Sequence, residues 1–426
     1  MKTESIIKTK KTKILLKLIL FACSFALFFL KNNLISNAKE PTVIVIDPGH
    51  GGDNLGALYD GFIEKDMTLN VALKMQERLE QYEGVEVYLT RETDVDLSLE
   101  DRILFAKAKN ADYFICLHFN MSIHHFLYGA EVWVPSKGEL YSRGYSLANE
   151  FLTQFEAIGL FNRGIKTKLN NDGNDYYGIL RHAVEEDIPA ILVEHCHYDN
   201  LTDRNFYMTD GALNQLAAID ADSVARYFQL SSTILAIDNS NYKSIEIPVP
   251  ETTSLPDLTP PQNCYIENLS YNQELGNLEF SVSASDLESG LLYYQYSYDG
   301  GNLWSQLIPW EKGKEKISFS FSIKEGTSPS VCVKVYNGYD LTTTSDICTL
   351  EKYVVANETI VNSPLSKDNI SYTVANEEVT IINKFQTFLV LFIVSFSIFV
   401  ILMVVKKYFV VAKKRHKKHK KKLISG

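Results

Sequence analysis

Short apolar runs alternate with amphipathic segments along the first half of the chain. Helices are predicted from a cap at Asp66, from a Ser98–Asp101 capping box, and over 141–158 and 211–228. Strands that alternate with helices predict an α/β domain over residues 42–230, with a mostly parallel, twisted sheet flanked by helices. The strands themselves are predicted at 43–46, 85–90, 113–118, 130–134 and 190–194.

The pattern changes after residue 230. Residues 231–261 hold five of the chain's twelve prolines with Ser, Thr and Asp, which predicts a semi-rigid linker. From 262 to 353, aromatic and β-branched runs separated by turns predict a second, all-β domain of β-sandwich type. Its segments SASDLESGL and YSYDGGNLW loosely resemble bacterial immunoglobulin-like modules. The polar stretch 354–384 is interpreted as a stalk.

Apolar runs near the two ends predict export and membrane anchoring. Six lysines precede the apolar run 18–30, so residues 1–38 are interpreted as a signal peptide cleaved after Ala38, with an uncleaved signal anchor as the alternative. Residues 385–405 are twenty-one uncharged, mostly apolar residues, long enough as a helix to cross a hydrocarbon core of roughly 30 Å. The tail 406–426 carries ten Lys and Arg and no acid, which predicts a cytoplasmic tail with the rest of the mature chain outside the cell.

Charge and cysteine content narrow the function classes. The net charge is −10 although both ends are basic, so the intervening chain is strongly acidic and a general nucleic-acid-binding function is disfavoured. The six cysteines do not suggest a disulfide framework, because Cys23 lies in the predicted signal and Cys116 and Cys196 lie in apolar strands. One bridge within the second domain stays open, with three cysteines as candidates: Cys264, Cys332 and Cys348.

Four acidic or imidazole side chains fall where predicted elements of the first domain begin or end. His50 follows the first strand in the turn DPGHGG, and Glu64 precedes the helix that begins near Asp66. His118 and Glu194 each end a strand. Because ligands of α/β sheets bind outside the carboxyl ends of the strands, these side chains are expected to converge on one rim. Two imidazoles and a carboxylate are a ligand set of catalytic zinc sites, and a further carboxylate can act as general base toward water.

Each of these residues also has a structural interpretation. A single histidine in a turn is more often a hydrogen-bonded surface residue than a ligand. An unpaired carboxylate at the end of an apolar strand is costly to bury, so Glu194 is the stronger functional candidate. His195 would point to the other face of that strand and is expected to be structural. His182 and the pair Cys196 and His197 are weaker candidates.

Residues 42–230 resemble the zinc-dependent N-acetylmuramoyl-L-alanine amidase family, the type with an α/β catalytic domain. The resemblance implies that His50, Glu64 and His118 bind Zn²⁺ and that Glu194 is the catalytic carboxylate. Two departures, CLHFN around His118 and HCHYDN after Glu194, remove no ligand but alter the groove around the site. The matching stretches follow the family's order: VIVIDPGHGG, Glu64-Lys65-Asp66, LTRETD, SLEDRILFAKAKNADYFICLHFN, GAEVWV, NRGIK and YYGILRHAVEEDIPAILVEHCHYDN.

The expected function is zinc-dependent hydrolysis of the amide bond between N-acetylmuramic acid and L-alanine in peptidoglycan. The expected enzyme is anchored in the cell membrane by a single pass, with its catalytic domain in the cell wall. Its partners are peptidoglycan and the membrane, without nucleic acid, and an unidentified activator protein stays open. Three alternatives also stay open: a non-catalytic peptidoglycan receptor on the same fold, an adhesin or scaffold that works through its β-domain, and an amidohydrolase or peptidase with another substrate.

Overall fold

A computed structural model of the chain describes residues 40–323 and 328–350, all within one compact unit. The predicted signal (1–38), stalk (354–384), membrane span (385–405) and tail (406–426) lie outside the described residues. Within the described ranges, no helix has both the length and the apolar character needed to cross a membrane.

The first part of the chain, here called the α/β region, is built on a six-stranded sheet of order β4-β1-β5-β8-β6-β7. Four of the five neighbouring pairs are parallel, and β6 runs antiparallel to β8, so the sheet is mixed. The strands in chain order are β1 (Thr42–Pro48), β2 (Leu58–Tyr59), β3 (Phe62–Ile63), β4 (Val85–Leu89), β5 (Tyr113–Asn120), β6 (Ala130–Trp133), β7 (Asn162–Lys166) and β8 (Ala190–His197). The short strands β2 and β3 pair with each other as a hairpin ahead of the first helix.

Helices cover both faces of this sheet because its buried strands are apolar on both faces. Ile44 and Ile46 of β1 pack in the core formed with α1, α3 and α6, whereas Val45 between them packs in the core formed with α2 and α4. The predicted α/β domain flanked by helices is thereby confirmed. The helices are α1 (Glu64–Leu79), α2 (Leu99–Ala108), α3 (Gly138–Ala157), α4 (Gly178–Glu185), α5 (Leu201–Tyr207) and α6 (Ala212–Tyr227).

The start of the first helix differs from the prediction. Asp66 lies in the first turn of α1 and does not cap it, because the β2–β3 hairpin leads straight into Glu64 with Ile63 at the N-cap. At α2 the predicted cap is confirmed, since Ser98 Oγ accepts a hydrogen bond from the Asp101 backbone N–H at 3.1 Å. The pattern did not predict β7, α4 or α5, which are short and carry charged residues.

Residues 231–261 lead to an all-β region. They form no named strand or helix, and they lie against the α/β region through bonds such as Ser254 N–H to the Ser136 carbonyl at 2.7 Å. The β-strands beyond them pair antiparallel in two sheets, β13-β10-β9 and β12-β11-β14-β15, with β16 beside β14. These strands are β9 (Asn263–Asn272), β10 (Asn277–Ser285), β11 (Leu291–Ser297), β12 (Ile308–Pro309), β13 (Lys316–Ser322), β14 (Ser330–Asn337), β15 (Thr342–Thr344) and β16 (Cys348–Thr349).

The two sheets of the all-β region share one core. Phe280 of β10 in the first sheet and Val333 of β14 in the second belong to the same cluster of buried side chains. This packing of two antiparallel sheets is a β-sandwich. The three described cysteines of this region, Cys264, Cys332 and Cys348, are free thiols.

Candidate active site

Three of the four predicted site residues meet at the carboxyl edge of β1 and β5. His50 Nε2 lies 3.1 Å from Glu64 Oε2, and His118 Nδ1 lies 2.9 Å from Glu64 Oε1. One donor atom from each of the three residues lies within 4.8 Å of the others. The imidazoles keep 21 % and 18 % of their side-chain surface exposed, whereas Glu64 keeps 5 %, so the cluster is open on the side of the histidines.

The backbone approaches this cluster too closely for a side chain at two positions. A Cβ atom on Gly49 would lie 2.4 Å from His118 Cε1, and one on Gly56 would lie 2.6 Å from Glu64 Oε2. Gly56 also has a φ of +68°, which L residues rarely adopt. These two glycines therefore leave the space that the three side chains occupy.

Two buried arginines fix the loop that carries His50. Arg102 of α2 pairs with Asp47 at 2.7 Å and donates to the carbonyls of Pro48 and His50 at 2.9 and 2.8 Å. Arg91 donates to the carbonyls of Pro48 and Gly49 at 3.0 and 2.9 Å. Neither arginine was singled out from the sequence, although LTRETD and SLEDRI lie among the stretches that carry the family resemblance.

Hydrogen bonds hold Glu64 ionised in spite of its burial. Burial raises the pKa of its carboxyl group, but the hydrogen bonds with His118 and His50 outweigh this and keep that pKa well below the usual range. The oxygens also accept from the backbone N–H groups of Ala57 and Phe119 at 2.9 and 3.1 Å. The carboxylate is therefore fixed in position and charge.

A hydrogen bond at Nδ1 orients the ring of His50. Its Nδ1 lies 2.9 Å from Asn54 Oδ1, which leaves Nε2 directed at Glu64. A polar partner on the far nitrogen is typical of metal-binding histidines, because it sets the tautomer and the ring plane.

Glu194 lies beside the cluster in the neighbouring strand. It is in register with His118 of β5 on one side and with Glu131 of β6 on the other, so the three side chains share one face of the sheet. Burial raises the pKa of Glu194 well above the ordinary range, and the charges of Glu64 and Glu131 add to the rise. Its Oε2 is buried and accepts no hydrogen bond within the part of the chain that the structure describes.

This arrangement fits a zinc ion and a water molecule. Two ring nitrogens and one carboxylate match the donor set of catalytic zinc sites, which keep a position open for water. Within the described ranges the buried Oε2 of Glu194 has no hydrogen-bond partner, and such an atom requires an explanation such as a water or an ion.

The weaker sequence candidates lie outside the cluster. His195 points to the opposite face of β8, where Nδ1 bonds the His118 carbonyl at 2.9 Å and Nε2 bonds Asp220 at 2.8 Å. His197 is buried with Nδ1 on the Gly129 carbonyl at 3.0 Å, and burial lowers the pKa of its imidazole to about 3. His182 pairs with Glu185 on α4.

Comparisons with known proteins agree on one family. Residues 44–226 match the model of the N-acetylmuramoyl-L-alanine amidase family. The sporulation-specific N-acetylmuramoyl-L-alanine amidase of Bacillus subtilis (strain 168) is 32 % identical over 195 residues, 45 % of this chain and 69 % of that protein. The N-acetylmuramoyl-L-alanine amidase CwlM of Bacillus licheniformis is 30 % identical over 199 residues, 46 % of this chain and 72 % of that protein.

A solved structure also matches part of the chain. The catalytic domain of CwlV, an N-acetylmuramoyl-L-alanine amidase from Bacillus (Paenibacillus) polymyxa var. colistinus, is 30 % identical with a TM-score of 0.38. The match covers 44 % of this chain and 98 % of that one.

Proposed function

The chain belongs to the N-acetylmuramoyl-L-alanine amidase family, and we propose on that premise that it hydrolyses the amide bond between N-acetylmuramic acid and L-alanine in peptidoglycan with a zinc ion. The observation that carries the zinc-dependent mechanism is the convergence of His50, Glu64 and His118 beside Glu194, whose buried Oε2 has no hydrogen-bond partner in the described part of the chain. All four residues lie inside the stretch that matches the family.

The first three residues are the proposed zinc ligands. A zinc ion bound there supplies Lewis-acid polarisation of the scissile carbonyl and activation of water. The protein prepares the ligands: Asn54 orients the His50 ring, and the backbone N–H groups of Ala57 and Phe119 hold Glu64. The exposed side of the two imidazoles is where the substrate carbonyl approaches.

Glu194 is the proposed general base and acid. Its Oε2 accepts a proton from the attacking water while the new C–O bond forms, and returns that proton to the nitrogen when the C–N bond breaks. The products are a lactyl carboxylate on the muramic acid and a free α-amino group on L-alanine. Burial beside Glu64 favours proton uptake by Glu194, because it raises the pKa of that carboxyl group.

The proposed location is the outer face of the cell membrane. The support comes from the sequence: the apolar run 18–30 after six lysines, the uncharged run 385–405, and the ten Lys and Arg of 406–426. In this arrangement the α/β region (42–230), the linker (231–261) and the all-β region (262–353) all face the cell wall.

The decisive experiment is mass spectrometry of peptidoglycan digested by the purified full-length chain. We expect muramic acid with a free lactyl carboxylate and peptides that begin with L-alanine, lost on chelation and restored by Zn²⁺. Binding to peptidoglycan by zinc-loaded protein without either product would support the receptor alternative. Cleavage at glycosidic or peptide–peptide bonds would contradict the proposed bond specificity.

A further inference from the structure

The all-β region contacts the α/β region at β7, the edge strand of the six-stranded sheet. Two residues of the turn between β14 and β15 reach this strand. The Tyr339 hydroxyl accepts a hydrogen bond from the Thr167 backbone N–H at 3.0 Å, and Asp340 Oδ2 pairs with Arg163 Nη2 at 2.6 Å. Tyr293 of β11 adds a hydroxyl 3.3 Å from Arg163 Nη1.

Arg163 connects this turn to a buried carboxylate of the neighbouring strand. Glu131 Oε2 in β6 accepts from Arg163 Nε at 2.9 Å and from Lys166 Nζ at 2.7 Å. Its other oxygen accepts from Asn120 Nδ2 at 3.0 Å. The side chains of Glu131, Arg163 and Lys166 are all at most 4 % exposed.

A bulge in β7 brings the two cations to the same carboxylate. The β6–β7 register shifts between Ala130 and Val132, and Gly164 has a φ of +97°. In a regular strand, residues three apart point to opposite faces. The bulge therefore lets Arg163 and Lys166 both reach Glu131.

Glu131 is the direct neighbour of the proposed catalytic base. The antiparallel pair β6–β8 puts Glu131 opposite Glu194, and directly opposed residues of such a pair have Cβ atoms about 4.5–5.5 Å apart. Two carboxylates on residues paired in this way repel each other unless one of them is paired with cations. Arg163, Lys166 and Asn120 do this for Glu131.

Asp340, whose side chain is 31 % exposed, completes the balance of charge around the two buried cations. Glu131 alone faces two cations, whereas Asp340 and Glu131 together match Arg163 and Lys166 in number. A buried guanidinium with one carboxylate fewer is electrostatically unfavourable, so it gains by moving toward solvent. Any such movement displaces the Glu131 carboxylate, whose residue lies directly opposite Glu194 in the β6–β8 pair.

We propose that Asp340 of the all-β region is a positioning residue of the amidase site, acting through Arg163 and Glu131 on Glu194. The inference rests on the proposed function, in which Glu194 is the general base. On this proposal the all-β region takes part in turnover. Residues 42–230 alone lack the Asp340 carboxylate that pairs with Arg163 of β7.

The test measures kcat and KM of the zinc-loaded full-length chain on soluble peptidoglycan fragments. We expect Asp340→Asn to lower kcat about 10- to 100-fold, since a misplacement of about 1 Å at a catalytic group can cost about 10²-fold. KM and zinc content are expected to stay the same. Asp340→Glu, which keeps the charge, is expected to recover most of kcat. The control is Asp346→Asn, an exposed acid of the same region, which is expected to behave as wild type.

Equal kcat for Asp340→Asn and wild type would overturn the inference and leave the proposed function intact. If Asp340→Asn does not fold, Arg163→Lys decides the question, because lysine keeps the charge but lacks the fork that bridges Glu131 and Asp340. A lower kcat with full zinc in that variant supports the inference, and an unchanged kcat overturns it. A zinc-loaded wild type without amidase products would overturn both the proposed function and the inference.

Discussion

Glu194 is the residue on which the distinction between an enzyme and a binding protein depends. It is the one side chain of the proposed site that is not a proposed zinc ligand. It lies in register with His118, and its buried Oε2 has no hydrogen-bond partner among the residues that the structure describes. A non-catalytic receptor on the same fold would not need this carboxyl group, because burying a carboxylate costs free energy of folding. Changes at this residue should therefore affect chemistry more than structure.

For Glu194→Gln we expect normal zinc content, retained peptidoglycan binding and amide cleavage reduced by about 10²–10⁴-fold. Glutamine is nearly isosteric with glutamate but does not accept the proton of water, and general-base catalysis contributes about that factor. Products would be counted by mass spectrometry for wild type and variant side by side. Glu185→Gln, an exposed change on α4, is the control. Equal product from Glu194→Gln and wild type would remove Glu194 from the mechanism.

The proposed zinc ligands make a separate prediction at the same scale. We expect one zinc ion per wild-type chain, and a severe loss of zinc in His50→Ala and His118→Ala, because an open site with two protein ligands binds zinc weakly. Elemental analysis of the purified variants measures this without reference to activity. His182→Ala, a change on α4 away from the cluster, should keep full occupancy. Full zinc in both ligand variants would show that the ion binds elsewhere.

At the scale of elements, α2 is tied to β1 by a buried ion pair next to the site. Arg102 and Asp47 keep only 3 % and 1 % of their side-chain surface exposed. The same guanidinium holds the carbonyls of Pro48 and His50, so the pair fixes the loop after β1 as well as the helix. Removal of one partner of a buried pair leaves an uncompensated charge in the interior.

We expect Arg102→Ala to lower the free energy of unfolding by about 3–5 kcal/mol, the usual cost of breaking a buried pair from one side. The matched control is Arg78→Ala, which breaks the half-exposed pair between α1 and Asp222 of α6, with side chains 28 % and 25 % exposed. Solvent screens that pair, so its loss should cost less. Urea unfolding followed by far-UV circular dichroism would measure both. Equal losses of unfolding free energy in the two variants would contradict the greater contribution of the buried Arg102–Asp47 pair.

At the scale of the whole molecule, the two described regions form a joint interface. Aromatic side chains from both sides pack together there: Tyr128 and Phe161 of the α/β region against Tyr293 of the all-β region. This contact lies beside the polar contacts of Arg163 with Asp340 and Tyr293. A β-domain joined to the enzyme only through a linker would require none of these contacts.

The proposed membrane topology predicts the outcome of proteolysis on intact cells. Protease added from outside should remove the α/β and all-β regions and leave a membrane stub with the basic tail, because Lys and Arg flanking a span stay on the cytoplasmic side. Antibodies against the α/β region and an epitope after Gly426 would follow the two ends. Permeabilised cells are the control, in which the epitope should also be digested. Digestion of that epitope in intact cells, with the α/β region protected, would mean the opposite orientation.

The sequence by itself determined the order of five of the strands and the four longer helices of the α/β region, and it supplied the four residues proposed for the site. Both are local properties. A period of two or of 3.6 in apolar residues depends only on near neighbours, so His50, His118 and Glu194 could be placed in or just after the carboxyl-terminal parts of strands. The predicted strand ends at His118 and Glu194 were too early, because β5 continues to Asn120 and β8 to His197. Glu64 was predicted just before the helix and is its first residue, and the cap assigned to Asp66 was wrong because a hairpin decides where α1 begins.

Only the tertiary structure decided which distant groups meet. Arg163 and Asp340 lie 177 positions apart, and Arg102 and Asp47 lie 55 apart, so no local pattern could pair them. The strand β7 escaped prediction because its charged residues are buried against partners from other elements. When the sequence is considered alone, a charged residue in a short segment predicts a side chain exposed to solvent. The same side chain can be buried when the fold places an opposite charge beside it.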